Sequence, residues 1–144
     1  MAKFKFRLQS VIKIKEIQEK KVERELAAIK KRILQGQARL EDLQGEHEKL
    51  VSSSPLEGKI RAADIVVHQE YIRKISDEIR FESVRLENLS RSENKKIDEV
   101  LDAKKDKEAI EHLREKRLEE FKHDLDHKEQ ILLDAVAQRM STQE

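Results

Sequence analysis

The 144-residue chain contains no cysteine, no tryptophan, one proline and three glycines. Without cysteine it can form neither a disulfide bond nor a thiolate metal site. Three separated glycines cannot build the glycine-rich loops that hold phosphates in nucleotide-binding proteins. Only 3% of the residues are aromatic and 42% are charged, which argues against a globular core around an enclosed pocket. These absences predict a protein that is not an enzyme and that needs no cofactor or metal.

Long apolar runs are missing as well. No stretch approaches the roughly 18 consecutive apolar residues of a membrane-spanning helix. Charged residues also interrupt the apolar N-terminal segment, whereas a secretory signal needs an unbroken apolar stretch and a small-residue cleavage site. We therefore expect a cytoplasmic protein without a secretory signal.

A regular apolar repeat is present over residues 8–50. Its positions alternate between spacings of three and four residues, and nine of the 13 positions are apolar. This repeat keeps one stripe of a helix facing a partner helix along a left-handed supercoil, so it predicts a long helix in a coiled coil. The positions are Leu8, Ile12, Lys15, Glu19, Val22, Leu26, Ile29, Ile33, Gly36, Leu40, Leu43, His47 and Leu50.

The repeat breaks at residues 51–59, which hold three serines, the only proline and a glycine. Ser54 can cap a new helix, Pro55 suits its first position, and Glu57 can complete a capping box. A second stripe follows, and its phase changes beyond Ile110. Its positions are Ile65, His68, Ile72, Ile75, Ile79, Glu82, Leu86, Leu89, Glu93, Lys96, Val100, Ala103 and Ile110, and then Leu118, Phe121, Leu125, Leu132 and Ala135.

These patterns predict an all-α fold, in which two long helices form one antiparallel coiled-coil hairpin, because a loop of a few residues favours antiparallel neighbours. The predicted boundaries are about 5–51 for the first helix, 52–58 for the turn, about 55–138 for the second helix and 139–144 for a frayed tail.

The second helix is longer than the first, so part of it is expected to overhang. If Pro55 is the midpoint of the hairpin, residues at equal distances before and after it lie opposite one another, and Leu8 lies opposite approximately residue 102. Roughly the last 35 residues of the second helix would then have no intramolecular partner. Because this segment keeps an apolar stripe, it predicts contact with another protein or self-association.

Basic charge is concentrated in the first 35 residues, which hold 11 Lys and Arg against 4 Glu, while the rest holds 20 against 26 Asp and Glu. Nucleic-acid surfaces combine a coherent basic patch with stacking aromatics. The glutamates dilute this patch, so we expect no nucleic-acid partner. Phe4 and Phe6 beside basic residues would suit an anionic membrane. However, Val11, Ile14 and Ile17 form a narrow second apolar edge that fits a protein groove better than a bilayer.

Several polar residues allow more than one interpretation. His47 and His68 occupy stripe positions and could face one another, which favours a paired or hydrogen-bonded structural role. Tyr71 lies beside the second stripe, either in an interface or only flanking the core. His123 and His127 share a helical face and could ligate zinc with a nearby glutamate, although a solvated face is favoured.

Two segments resemble a known family. FKFRLQSV at residues 4–11, followed by a Lys- and Glu-rich stretch at 15–27, resembles the start of the FliJ family of flagellar export proteins. LREKRLEEF at residues 113–121 resembles the closing helix of that family. Length, absence of cysteine, hairpin layout and the longer second helix agree, so the resemblance covers nearly the whole chain.

The resemblance implies a component of the flagellar type III export apparatus, built like the central stalk of rotary ATPases. Its chain ends would insert into a FliI-like export ATPase hexamer and promote ring assembly and activity. Its hairpin side would bind the cytoplasmic domain of an FlhA-like export gate protein, and it would handle export chaperones. The implied ATPase-binding residues are Phe4, Phe6, Arg7, Leu8, Val11, Leu113, Arg117, Leu118 and Phe121. The implied gate-binding residues are Leu43, Leu50, Tyr71 and Ile75.

For Leu43, Leu50 and Ile75, which belong to the stripes, a core role is favoured. With this function the protein would be a monomer when free, with no small-molecule substrate, cytoplasmic and peripherally associated with the membrane at the flagellar base. The alternatives are the equivalent stalk of a virulence type III system, a general cytoplasmic coiled-coil scaffold or homodimer, and a lipid- or nucleic-acid-binding rod.

Overall fold

A computed structural model describes residues 3–53 and 61–143 and contains two helices. Helix α1 spans Gln9–Ser52 and helix α2 spans Ala62–Ser141. The predicted all-α fold, with two helices of which the second is longer, is confirmed. Both helices begin later than predicted, and α2 continues into the segment expected to fray. The predicted cap at Ser54, Pro55 and Glu57 lies outside the described residues.

The later start of α1 leaves residues 3–8 as a non-helical arm, which we call the N-terminal arm. Phe4 and Phe6 are half-buried, whereas Lys3, Lys5 and Arg7 are exposed, so the arm has an inward and an outward side. The helix is entered through backbone hydrogen bonds from Gln9 N–H to the Phe6 carbonyl, at 3.2 Å, and from Ile12 N–H to the Leu8 carbonyl, at 3.1 Å.

The chain divides into two compact units. The end unit contains Met1–Lys20 and Leu101–Glu144, and the hairpin unit contains Lys21–Val100. In each unit a segment of α1 packs antiparallel against a segment of α2. The core of the end unit includes Ile12, and the core of the hairpin unit includes Leu43, Ile75 and Val100.

The predicted stripes are confirmed at almost every position. In α1 all stripe residues after Leu8 are buried or half-buried, and in α2 the same holds from Ile65 to Ile110 and at Leu118, Phe121 and Leu125. The polar residues that interrupt the stripes also face inward. A three-four spacing therefore determined which faces of the helices meet, even where the residue in the stripe is charged.

Ion pairs between the helices show the register. In the end unit, Lys15 Nζ lies 3.7 Å from Asp106 Oδ2. In the hairpin unit, Lys96 Nζ lies 2.6 Å from Glu25 Oε2. In both pairs the midpoint in sequence falls between residues 60 and 61. The predicted midpoint of the hairpin, Pro55, is therefore wrong by about five residues.

The corrected register shortens the overhang. Reflection about the observed midpoint sets Leu8 opposite residue 113 instead of residue 102, and Leu8 and Leu113 do border the same groove. The physical reason is that α2 begins at Ala62 and not at Pro55. The α2 residue opposite any given α1 residue therefore has a higher number than predicted.

Several charged residues in the stripes, including Lys15, Glu19 and Lys96, form ion pairs between the helices. In the end unit, Lys107 Nζ contacts Glu19 Oε2 at 2.8 Å, and this contact raises the pKa of Lys107 above its usual 10.5. In the hairpin unit, hydrogen bonds to Glu25 and Glu99 raise the pKa of Lys96 in the same way. Lys107 is half-buried although it was not assigned to the stripe.

His68 has the predicted structural role, and its partner is a backbone group. Its Nε2–H donates a hydrogen bond to the Leu50 carbonyl at 3.1 Å. Carbonyls in the last turn of a helix have no partner within the helix, so His68 satisfies one of those at the end of α1.

Gly36 marks a close approach of the two helices. A Cβ atom added there would lie 2.6 Å from Leu86 Cδ2 and 3.1 Å from Glu82 Oε1. Glu82 is only 3% exposed, and its nearest cations are Arg85 Nη1 at 3.5 Å and Arg39 Nε at 3.9 Å. The missing side chain at Gly36 therefore provides the space in which Leu86 and a buried carboxylate pack against α1.

We predict opposite effects for the same substitution at two helical glycines. Gly45→Ala should raise the free energy of unfolding by about 0.5–1 kcal/mol, because alanine favours the helix and nothing lies within 4 Å of the added Cβ. Gly36→Ala should lower it by about 1–3 kcal/mol, because Leu86 and Glu82 must move. Urea unfolding followed by circular dichroism measures both, and equal gains at the two positions would contradict the proposed close packing.

Candidate functional site: a groove at the chain ends

The N-terminal arm is attached to α2 through an aromatic contact in the end unit. The ring centroids of Phe4 and Phe121 are 5.6 Å apart and the rings are tilted by 50°. Tilted aromatic pairs at this separation are favourable, because the positive edge of one ring approaches the negative face of the other. The arm therefore covers part of the apolar stripe of α2 that was predicted to lack an intramolecular partner.

A groove lies between the N-terminal arm and α2, which we call the end groove. Seven of the nine predicted ATPase-binding residues border it, so the structure brings together residues from both ends of the sequence. The remaining two, Val11 and Leu118, are half-buried outside it. The groove is bordered by Lys3, Phe4, Lys5, Phe6, Arg7, Leu8, Leu113, Arg117, Glu120, Phe121 and Asp124.

The apolar part of the end groove consists of side chains from the N-terminal arm and from α2 that remain partly exposed. Leu8 and Leu113 are both just over one-third exposed, while Phe4, Phe6 and Phe121 are half-buried. Concave surfaces with exposed aromatic and aliphatic groups are the usual anchor sites of protein interfaces. The end groove is therefore suited to receive an apolar side chain from another protein.

The polar part of the end groove is mostly basic. Lys3, Lys5 and Arg7 project from the arm, and Arg117 projects from α2 and lies 3.6 Å from Glu120 Oε2. A second, smaller concavity, which shares Phe4, Lys5 and Phe6 with the end groove, adds Arg114. The sequence had revealed the basic cluster of the arm, but Lys3, Lys5 and Arg114 were not assigned to the site, because only the fold shows that they border it.

A second apolar edge runs along α1 in the end unit. Ile14 is 61% exposed and Ile17 is 68% exposed, so both point away from α2, as their position outside the stripe predicted. Val11 is half-buried. These side chains extend the apolar surface of the end unit along α1.

The last part of α2 is uncovered. Leu125 is half-buried, but Leu132 is 66% exposed, and the apolar residues around it are exposed as well. The predicted unpaired stripe is therefore restricted to the segment after Leu125. Its two exposed stripe residues are Leu132 and Ala135, and the other exposed large apolar residues of this segment are Ile131, Leu133, Val136 and Met140.

The predicted gate-binding residues lie in the hairpin unit and differ in accessibility. Leu43 is 8% exposed and Ile75 is 3% exposed, which confirms their interpretation as core residues, and Leu50 is half-buried. Tyr71 is exposed, and its hydroxyl donates a 2.6 Å hydrogen bond to Glu46 Oε1. This bond raises the pKa of Tyr71 above its usual 10.0. Of the four residues, Tyr71 is the one with substantial accessible surface.

Sequence reasoning missed one feature of the hairpin unit. Phe81 is 72% exposed on α2, and Val84 beside it is exposed too. A groove next to Phe81 carries charges of both signs in equal number. Neither residue belongs to the stripe, and only an inspection of residues outside the stripe would have found them.

Other kinds of site are not visible in the part of the chain that the structure describes. There, no three His, Cys, Asp or Glu side chains are grouped as metal ligands, and this includes the surroundings of His123 and His127. Neither α1 nor α2, as described, has an apolar window long enough to cross a membrane.

The fold and the end groove define a class: a two-helix, antiparallel coiled-coil protein with an open groove that is apolar and basic. More particularly, the chain belongs to the flagellar FliJ protein family, whose family model matches residues 4–144. The family is a non-enzymatic component of flagellar type III protein export, so the protein's partners are proteins of that system. No curated protein and no solved structure matched the chain.

We predict that Phe4 and Phe121 stabilise the fold as a coupled pair. In a double-mutant cycle of Phe4→Ala and Phe121→Ala, the coupling free energy should be about 0.5–1.5 kcal/mol, as for other aromatic pairs. Urea unfolding gives the four values needed. Phe81→Ala is the matched control, because its exposed ring should give no coupling with Phe121→Ala. Additive effects of Phe4→Ala and Phe121→Ala would contradict the attachment of the arm.

Proposed function

We propose that the protein binds a hexameric, FliI-like flagellar export ATPase through the end groove, and that binding promotes ring assembly and activity. The observation that carries the proposal is that residues from both ends of the sequence border one groove. They combine phenylalanines with arginines, and both residue types are enriched in protein interfaces. The exposed edge of Ile14 and Ile17 enlarges the same docking surface.

Promotion of ring assembly follows from thermodynamic linkage. A ligand that binds the assembled hexamer more tightly than the separate subunits shifts the equilibrium toward the hexamer. A coiled coil with different side chains on each face, inserted in the centre of a ring, contacts several subunits at once and so favours the closed form. This role requires no catalytic group on the chain itself.

The hairpin unit supplies the proposed contact with the cytoplasmic domain of an FlhA-like export gate protein. Tyr71 offers accessible aromatic surface, and its hydrogen bond to Glu46 fixes the ring in place. Leu43, Leu50 and Ile75 contribute by holding α1 and α2 together beneath that surface. Handling of export chaperones and peripheral association with the cytoplasmic face of the membrane at the flagellar base belong to the same proposal.

The proposal is tested by adding the protein to the purified export ATPase. Sedimentation velocity should show a larger hexamer fraction, and the rate of ATP hydrolysis should rise. Phe6→Ala combined with Leu113→Ala should raise the concentration needed for half-maximal stimulation by about tenfold, because both residues are removed from the apolar part of the groove.

Phe81→Ala is the control for that experiment, since it removes an exposed aromatic ring from the hairpin unit and should leave stimulation unchanged. If the wild-type protein changes neither hexamer fraction nor hydrolysis, the proposed function is wrong. An equal loss with Phe81→Ala would place the ATPase contact outside the end groove.

A second candidate function, self-association as a coiled-coil scaffold, is favoured by the exposed apolar end of α2. Leu132, Leu133 and Val136 lie where α1 does not reach, and such surface often marks a protein interface. Sedimentation equilibrium separates the two functions. The ATPase-binding function predicts a monomer at micromolar concentration, and the scaffold function predicts a stable dimer.

A further inference from the structure

We propose that the end groove recognises an acidic segment that carries a bulky apolar side chain, and that the export ATPase presents this segment. The inference rests on the proposed function and adds the chemistry of the contact. It follows from the charges around the groove, from its apolar part, and from a comparison with the groove beside Phe81.

The first observation is unneutralised positive charge. The end groove and the adjoining concavity together carry five cations, Lys3, Lys5, Arg7, Arg114 and Arg117, against the two carboxylates Glu120 and Asp124. Arg117 already lies near Glu120. Among the residues that the structure describes, no carboxylate forms an ion pair with Lys3, Lys5, Arg7 or Arg114. An acidic partner is the one that such a surface attracts.

The second observation is the apolar part between these cations. Phe6 borders both concavities, and the partly exposed Leu8 and Leu113 lie beside it in the end groove. A highly charged ligand alone would leave this apolar surface in water. A segment with one bulky apolar residue among its acidic residues fits both features, because the apolar residue is buried while carboxylates meet the cations.

The groove beside Phe81 in the hairpin unit serves as an internal comparison. It has four cations, Arg39, Arg73, Lys74 and Arg85, and four carboxylates, Glu70, Asp77, Glu78 and Glu82. Two of those cations lie close to the Glu82 carboxylate. A balanced groove of this kind selects no charge sign, so the basic excess distinguishes the end groove from another concavity on the same chain.

The N-terminal arm explains how the cations reach one side of the groove. Phe4 and Phe6 are half-buried while Lys3, Lys5 and Arg7 are exposed, so the arm turns its aromatic side chains inward and its cations outward. The contact of Phe4 with Phe121 holds the arm in this orientation. The charges are thus presented without ordering a free segment at the moment of binding, which reduces the entropic cost of association.

The test is the affinity for the purified export ATPase at two ionic strengths, about 0.05 M and about 0.5 M, since salt screens contacts between exposed charges. The dissociation constant of the wild-type protein should rise by about tenfold at the higher salt concentration. Lys5→Glu combined with Arg7→Glu should weaken binding by about tenfold at the lower salt concentration and abolish most of the salt dependence.

Arg73→Glu combined with Lys74→Glu is the matched control, because it makes the same change in net charge in the balanced groove. This variant should bind the ATPase as the wild type does. Both charge variants should keep the wild-type circular dichroism signal, since residues 5 and 7 lie outside the helices and residues 73 and 74 are exposed.

The outcomes separate the two proposals. Failure of the wild-type protein to bind at either salt concentration overturns the proposed function and this inference with it. Binding that is insensitive to salt and to Lys5→Glu with Arg7→Glu overturns the inference and leaves the proposed function standing. Tighter binding of the wild type to phosphatidylserine vesicles or to duplex DNA than to the ATPase would also overturn the inference. The partner of the end groove would then be a phosphate-bearing molecule.

Discussion

The contact between the stripe of α1 and the stripe of α2 is the interaction on which the rest of the structure depends. It fixes which side chains remain outside, including Ile14 and Ile17, and its antiparallel direction places the N-terminal arm beside residues 113–124 of α2 in the end unit. The ion pairs of Lys107 and Lys96 allow charged residues inside this contact. Burying a charge is costly without a partner, so these pairs favour one register over others.

The end groove is a consequence of where that contact stops. The N-terminal arm continues beyond the start of α1 and reaches α2 through Phe4 and Phe121. A surface made from both chain ends can bind only when the hairpin is formed, so folding and docking are linked. The flagellar FliJ family to which the chain belongs provides the context, and under our proposal the groove is where the protein contacts the export ATPase.

Local sequence patterns predicted much of the fold but not its register. The three-four spacing identified inward residues as polar as Glu19 and Glu82, because helix periodicity decides direction independently of side-chain chemistry. Pro55 was a poor guide to the register, since a residue suited to a helix start does not determine where α2 begins. The meeting of Phe4 with Phe121, and of Gly36 with Leu86, depends on the register and could not be predicted without it.

The most direct test of the central claim, that both chain ends form one docking surface, is site-specific photo-crosslinking to the export ATPase. A photoreactive amino acid would replace Phe6, Leu113 or, as the control, Phe81, one at a time. The account predicts crosslinks to the ATPase from positions 6 and 113, mapping to the same region of the ATPase subunit, and none from position 81. Crosslinks from position 81 alone, or from positions 6 and 113 to separate regions, would contradict it.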